Sequence, residues 1–69
     1  METFVSGRNQ SAARKAYNYA RLVSAETKVN QNVFRDNDGQ FAVCPATMPQ
    51  PDEWQFAGTV GIDGNVELA

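Results

Sequence analysis

The sequence contains no histidine, a single cysteine and, beyond position 35, no lysine or arginine. Each gap closes off a class of function. Without histidine the chain has no usual general base, none of the common zinc ligand sets and no serine–histidine arrangement. Cys44 has no partner for an intramolecular disulfide, and small secreted domains depend on such links, so a reducing compartment is expected. A nucleophilic cysteine needs a neighbouring base or cation, and a buried thiol is the simpler reading of Cys44. No apolar run approaches the roughly 20 residues that a membrane helix requires. The opening "METFVSGRNQ" lacks a basic region followed by an apolar stretch, so no secretory signal is visible and a cytoplasmic location is expected. The chain reads as a protein without catalysis, cofactor or metal.

What remains is one domain, residues 1–69, with 42% hydrophobic and 20% charged residues, an ordinary globular balance. A domain of this length buries only about 60% of the surface its unfolded chain exposes, which leaves little room for a deep cleft beside a core. Residues 2–5, "ETFV", suit a short strand; Gly7 interrupts the pattern, and Asn9 or Ser11 can cap a helix. From Ser11 to Lys28 there is neither glycine nor proline, and alanine, arginine, lysine and leucine favour a helix. At helical spacing Ala12, Ala16, Tyr19, Ala20 and Val23 fall on one side, with Leu22 and Val29 at its margin. The alanines suit a helix lying close against a sheet. On the opposite side Arg14, Arg21 and Lys28 recur every seven residues, with Asn18 between them.

The segment "FRDNDGQF", residues 34–41, poses the choice between a metal loop and a turn. An EF-hand alignment with Gly39 at the sixth position places Phe34 at the first and Pro45 at the twelfth, where acidic ligands are required. The calcium reading fails. Asn37-Asp38-Gly39 instead suits a hairpin between "VFRD" and "QFAVC", since Asn and Gly tolerate positive φ and an Asp side chain bonds nearby N–H groups. Pro45, Pro49 and Pro51 lie within seven residues and make "CPATMPQPDEW" an extended surface connection. A second hairpin, "EWQFAGTVGI" with "NVEL", turns at Asp63-Gly64, read as a two-residue turn. Gly58, Gly61 and Gly64 lack the lysine and following helix of a phosphate loop and read as bulges and turns. The expected fold is α+β: one helix on a small antiparallel sheet of four to five strands, in β-α-ββ-ββ order, with Val23, Ala16 and Tyr19 facing Phe41 or Val43 and Phe56 or Val60.

Charge is the strongest functional signal. All six cations, Arg8, Arg14, Lys15, Arg21, Lys28 and Arg35, precede position 36, where Glu2 and Glu26 leave a net of +4. The remaining 34 residues carry Asp36, Asp38, Asp52, Glu53, Asp63 and Glu67, a net of −6. Carboxylates at hairpin tips and in the proline-rich loop repel nucleic acid but suit a basic, nucleic-acid-binding groove, where they occupy the places of phosphates. Trp54, beside Asp52 and Glu53, can serve as an interface anchor. The expected partner-binding set is therefore Asp36, Asp38, Asp52, Glu53, Trp54, Asp63 and Glu67.

With its acidic segments "FRDNDGQF", "PQPDEW" and "GIDGNVEL", its size and its lack of catalytic residues, the chain resembles in type the small phage-encoded anti-CRISPR proteins that mimic DNA. That resemblance implies a stoichiometric inhibitor in the host-cell cytoplasm, bound to a CRISPR surveillance complex or nuclease where DNA would bind. The basic helix departs from it. Arg14, Asn18, Arg21 and Lys28 support the alternative, a small nucleic-acid-binding module, although three or four cations give weak electrostatic affinity. A structural or assembly subunit using both charged faces is the third class. No small-molecule substrate and no membrane is implied.

Overall fold

The computed structural model describes residues 4–5 and 12–69. Strand β1 is Phe4–Val5, helix α1 Ala12–Thr27, and strands β2 to β5 are Gln31–Arg35, Phe41–Pro45, Gln55–Val60 and Val66–Leu68. They form a five-stranded sheet in the order β1-β3-β2-β4-β5, every neighbouring pair antiparallel, with α1 packed on it. The α+β fold and the element order follow the pattern expected of the sequence. Gly7, the Asn9 or Ser11 cap and Arg8 lie outside the described residues.

The helix meets the sheet along a row of small side chains, Ala12, Ala16, Ala20 and Ser24, all buried. Four-residue spacing keeps them on one face, and their size lets the helix backbone lie close to the strands. Ala16 and Ala20 pack with Val33, Val43 and Val60, and Tyr17, Tyr19, Phe41 and Ala57 complete the cluster. Val23 is only partly buried, whereas Ser24, one residue on, is fully enclosed. Its hydroxyl lies 3.0 Å from the Arg21 carbonyl and 3.1 Å from the Gly61 carbonyl, tying the helix to the β4–β5 turn. Leu22 points outward at 70% exposure. The helix ends before Lys28, which takes a left-handed φ of 62° and donates its N–H to the Ser24 carbonyl at 2.9 Å, as a residue just past a helix C-terminus does. Lys28 therefore does not continue the arginine stripe along the helix.

Register decides which strand residues share a face. Val33 pairs with Val43 and with Gly58, and these face the helix; Phe34 pairs with Ala42 and Phe56, on the other side. Between Gly58 and Phe56 the ladder slips, leaving Ala57 as an extra residue, a β-bulge that turns Phe56 away from the helix. Phe56 thus does not face Ala16 but makes an edge-to-face contact with Phe34, ring centres 6.0 Å apart. Gly58 is required where it stands: a β-carbon there would come within 2.8 Å of both the Glu67 carbonyl oxygen and the Tyr17 hydroxyl.

Both hairpins close over three residues with a glycine at positive φ. In the first, Asp36 N–H donates to the Gln40 carbonyl at 3.0 Å and Gly39 has φ 87°; in the second, Gly61 N–H donates to the Asn65 carbonyl at 2.8 Å and Gly64 has φ 88°. The second turn is therefore one residue longer than the two-residue turn expected at Asp63-Gly64.

Because β4 pairs with β2 and not with β3, the proline-rich connection cannot form a hairpin. Pro45 ends beside Gln31, and Gln55 starts beside Arg35, so residues 46–54 return along the length of β2, roughly 15 Å. Phe34, Ala42 and Cys44 face away from the helix and are nevertheless buried. Cys44 is accordingly a buried thiol.

Candidate acidic binding site

The crossover brings two acidic segments together. Asp36, Asn37 and Asp38, from the β2–β3 turn, and Glu53 and Trp54, from the end of the returning segment, line one concavity of about 380 Å³. None of the five is a cation. Local chemistry sets the shape of each side. Asp36 Oδ1 accepts the N–H groups of Asp38 at 2.9 Å and Gln40 at 2.8 Å, so this carboxylate is the frame of the turn and is only partly exposed. Asp38 and Asn37 stand at the exposed tip.

On the other side, Trp54 N–H donates to the Pro51 carbonyl at 3.4 Å, and Gln50 Nε2 donates to the Trp54 carbonyl at 2.7 Å. These contacts bend the chain around Asp52 and Glu53. Glu53 sits in the left-handed region at φ 68°, where a residue with a β-carbon is strained by about 1 kcal/mol or more. Glu53 is exposed and the neighbouring Trp54 partly buried, and both line the concavity.

Four of the seven expected partner-binding residues, Asp36, Asp38, Glu53 and Trp54, thus share one site. Asp52 is exposed next to Glu53 in the chain but does not line the concavity. Asp63 and Glu67 lie elsewhere, in a second depression of about 580 Å³ with Asn30, Thr59, Gly61, Ile62 and Asn65, at the Gln31–Val60 end of the sheet. There the polar atoms are engaged internally. Asp63 accepts Asn65 N–H at 3.1 Å and Asn65 Nδ2 at 2.8 Å, and Asn30 Oδ1 accepts Ile62 N–H at 3.2 Å.

On the helix, Arg14, Asn18 and Arg21 are all exposed, and Arg21 Nη1 donates to Asn18 Oδ1 at 3.4 Å. None of these three residues lines the acidic concavity. Asn37, at the rim of the acidic concavity, was not among the expected site residues; its place in the same turn as Asp36 and Asp38 was the available signal. Among the described residues no group of His, Cys, Asp or Glu side chains could hold a metal ion, and no helix is long and apolar enough to cross a membrane.

Compared with known proteins, the chain matches no family model, no curated protein and no solved structure, so its own geometry carries the functional argument.

Proposed function

We propose that this is a non-catalytic binding protein whose acidic concavity enters a cationic, nucleic-acid-binding groove of a protein partner and blocks it. The observation that carries this reading is the convergence of Asp36, Asp38 and Glu53 around Trp54 from segments some fifteen residues apart in sequence. Carboxylates so grouped can accept charge-assisted hydrogen bonds from lysine or arginine in place of phosphates. An indole face beside them adds attraction for a guanidinium by cation–π contact. The likeness in type to anti-CRISPR proteins suggests one such groove, the DNA-binding channel of a CRISPR surveillance complex. Asp63 and Glu67, at the other end of the sheet, lie outside this contact.

A specific observation favours the second reading, nucleic-acid binding by the helix: Arg14, Asn18 and Arg21 are all exposed. Against it, the departure of Lys28 from the helix shortens the stripe, and so few phosphate contacts give weak, strongly salt-dependent binding. Capture of partners from nuclease-treated lysate, followed by affinity measurement at rising salt, separates the two. The acidic-site reading expects a protein partner whose affinity falls steeply with ionic strength and is reduced by Asp38→Asn with Glu53→Gln. Binding lost in Arg14→Glu with Arg21→Glu, but kept in the acidic variant, would assign the function to the helix.

A further inference from the structure

The strand order leaves β5 at one edge of the sheet. Its hydrogen bonds show which of its backbone groups are free to pair outward. Gly61 N–H donates to the Asn65 carbonyl at 2.8 Å and Ala69 N–H donates to the Ala57 carbonyl at 3.0 Å, so positions 65 and 69 bond inward. Antiparallel ladders alternate, which turns the N–H and C=O groups of Val66 and Leu68 outward. Edges of this kind are usually protected by charge or proline. Here the two outward-bonding residues are apolar, and Leu68 is 73% exposed.

Beside this edge, between the first half of α1 and the sheet, runs a groove of about 340 Å³ lined by Ala13, Tyr17, Arg35, Phe41, Phe56 and Leu68, among others. Arg35, on β2, is the one charged side chain in its lining. Burial pushes the Tyr17 phenol above its ordinary pKa, partly offset by Arg35. Glu67 pairs with Thr59 and so points to the opposite face of β5.

We propose that the β5 edge and this groove form a strand-docking site for an extended acidic segment of a partner protein. The segment adds a strand through the backbone of Val66 and Leu68. On its helix-facing side an apolar residue covers Leu68, and a carboxylate farther along the segment enters the groove toward Arg35, which stands on β2, two strands in from the edge. Glu67 repels carboxylates at the alternate positions, so the site selects acidic residues on one face of the added strand only. This site is separate from the acidic concavity and stands or falls without it.

The test uses amide-resolved NMR on the intact chain, titrated with blocked peptides of alternating valine and threonine that carry one central glutamate or, as the control, one central lysine. The expected result is movement of the Val66, Leu68 and Tyr17 amides with the glutamate peptide, and binding about five-fold weaker for the lysine peptide. Leu68→Thr and Arg35→Gln, both at exposed positions, should each weaken the glutamate peptide several-fold while leaving the spectrum of the free protein folded. Edge amides that stay still with both peptides, or equal affinity for the two charges, would overturn the proposal. So would movement of the same amides on raising protein concentration alone, which would make a second copy the occupant.

Discussion

The two hairpin ends of the sheet are built alike and equipped differently. Each closes over three residues, carries a glycine near φ +87° and uses an aspartate to hold nearby N–H groups. At the β4–β5 end, both Asp63 oxygens serve Asn65, the Gly61 carbonyl meets Ser24, and Asn30 holds Ile62. That end is a joint, its polar groups used to fasten helix, turn and strand. At the β2–β3 end Asp36 Oδ1 frames the turn, and Glu53 and Trp54 arrive from another segment to stand beside the tip. Turn chemistry alone therefore does not mark a site; what the chain places next to the turn does.

Charge reversal breaks the comparison most severely. Asp38→Lys combined with Glu53→Lys should weaken partner binding by about a hundredfold or more, since like charges facing across an interface cost several kcal/mol. The thermal midpoint should hardly move, because both side chains are exposed. Replacing the turn aspartates asks a finer question. Asp36→Ala removes the acceptor of two backbone N–H groups and should cost about 1 kcal/mol, lowering the midpoint by several degrees and reducing binding with it. Asp63→Ala should also lower the midpoint but leave binding unchanged. Equal losses of affinity for the two would mean that both ends contact the partner.

A smaller effect, of opposite sign, is expected from the strained bend. Glu53→Gly relieves a positive φ and should raise stability by up to about 1 kcal/mol while lowering affinity. Lys28→Gly relieves the same strain at the helix end and should leave affinity alone. Smallest is a pH effect. The folded state holds the Tyr17 proton more tightly than the unfolded chain does, so this contribution is complete below the ordinary tyrosine pKa of about 10 and declines as pH rises above it. Denaturation midpoints measured across that window should fall less in Tyr17→Phe than in the parent.

The sequence made the helix, both turns and the extended proline-rich connection legible, because each rests on local chemistry: alanine-rich spacing, Asp-Gly pairs, prolines. Ser24 escaped because a hydroxyl suggests the outer face, although its position four residues after Ala20 extends the buried row. Of the two β4 residues expected opposite the helix, Val60 takes that place and Phe56 does not, because alternation counted back from Val60 holds only in a strand without a bulge, and Ala57 adds one residue to the phase. Lys28 fits a seven-residue repeat on paper, but the helix stops before it. As for the site, the carboxylates and Trp54 were visible as a charge pattern. Their meeting was not, since it depends on β4 choosing β2 as its neighbour, a long-range decision that no local signal records.

That choice of neighbour has a kinetic side. The β2–β3 pair can zip from its own turn, but β2 meets β4 only after the loop of residues 36–54 closes, and loop closure precedes the contacts that reward it. Asp36 and Asp38 therefore exist as a hairpin tip before Glu53 and Trp54 are delivered to them. On this order the acidic concavity is completed late in folding and is absent from any species in which only the hairpins have formed. A partner that recognises the completed surface pulls the chain toward its native state by mass action, and saturating partner at a hundred times its Kd would add about 2.7 kcal/mol to the unfolding free energy. Hydrogen exchange should register that gain where the β2–β4 ladder joins the two acidic segments.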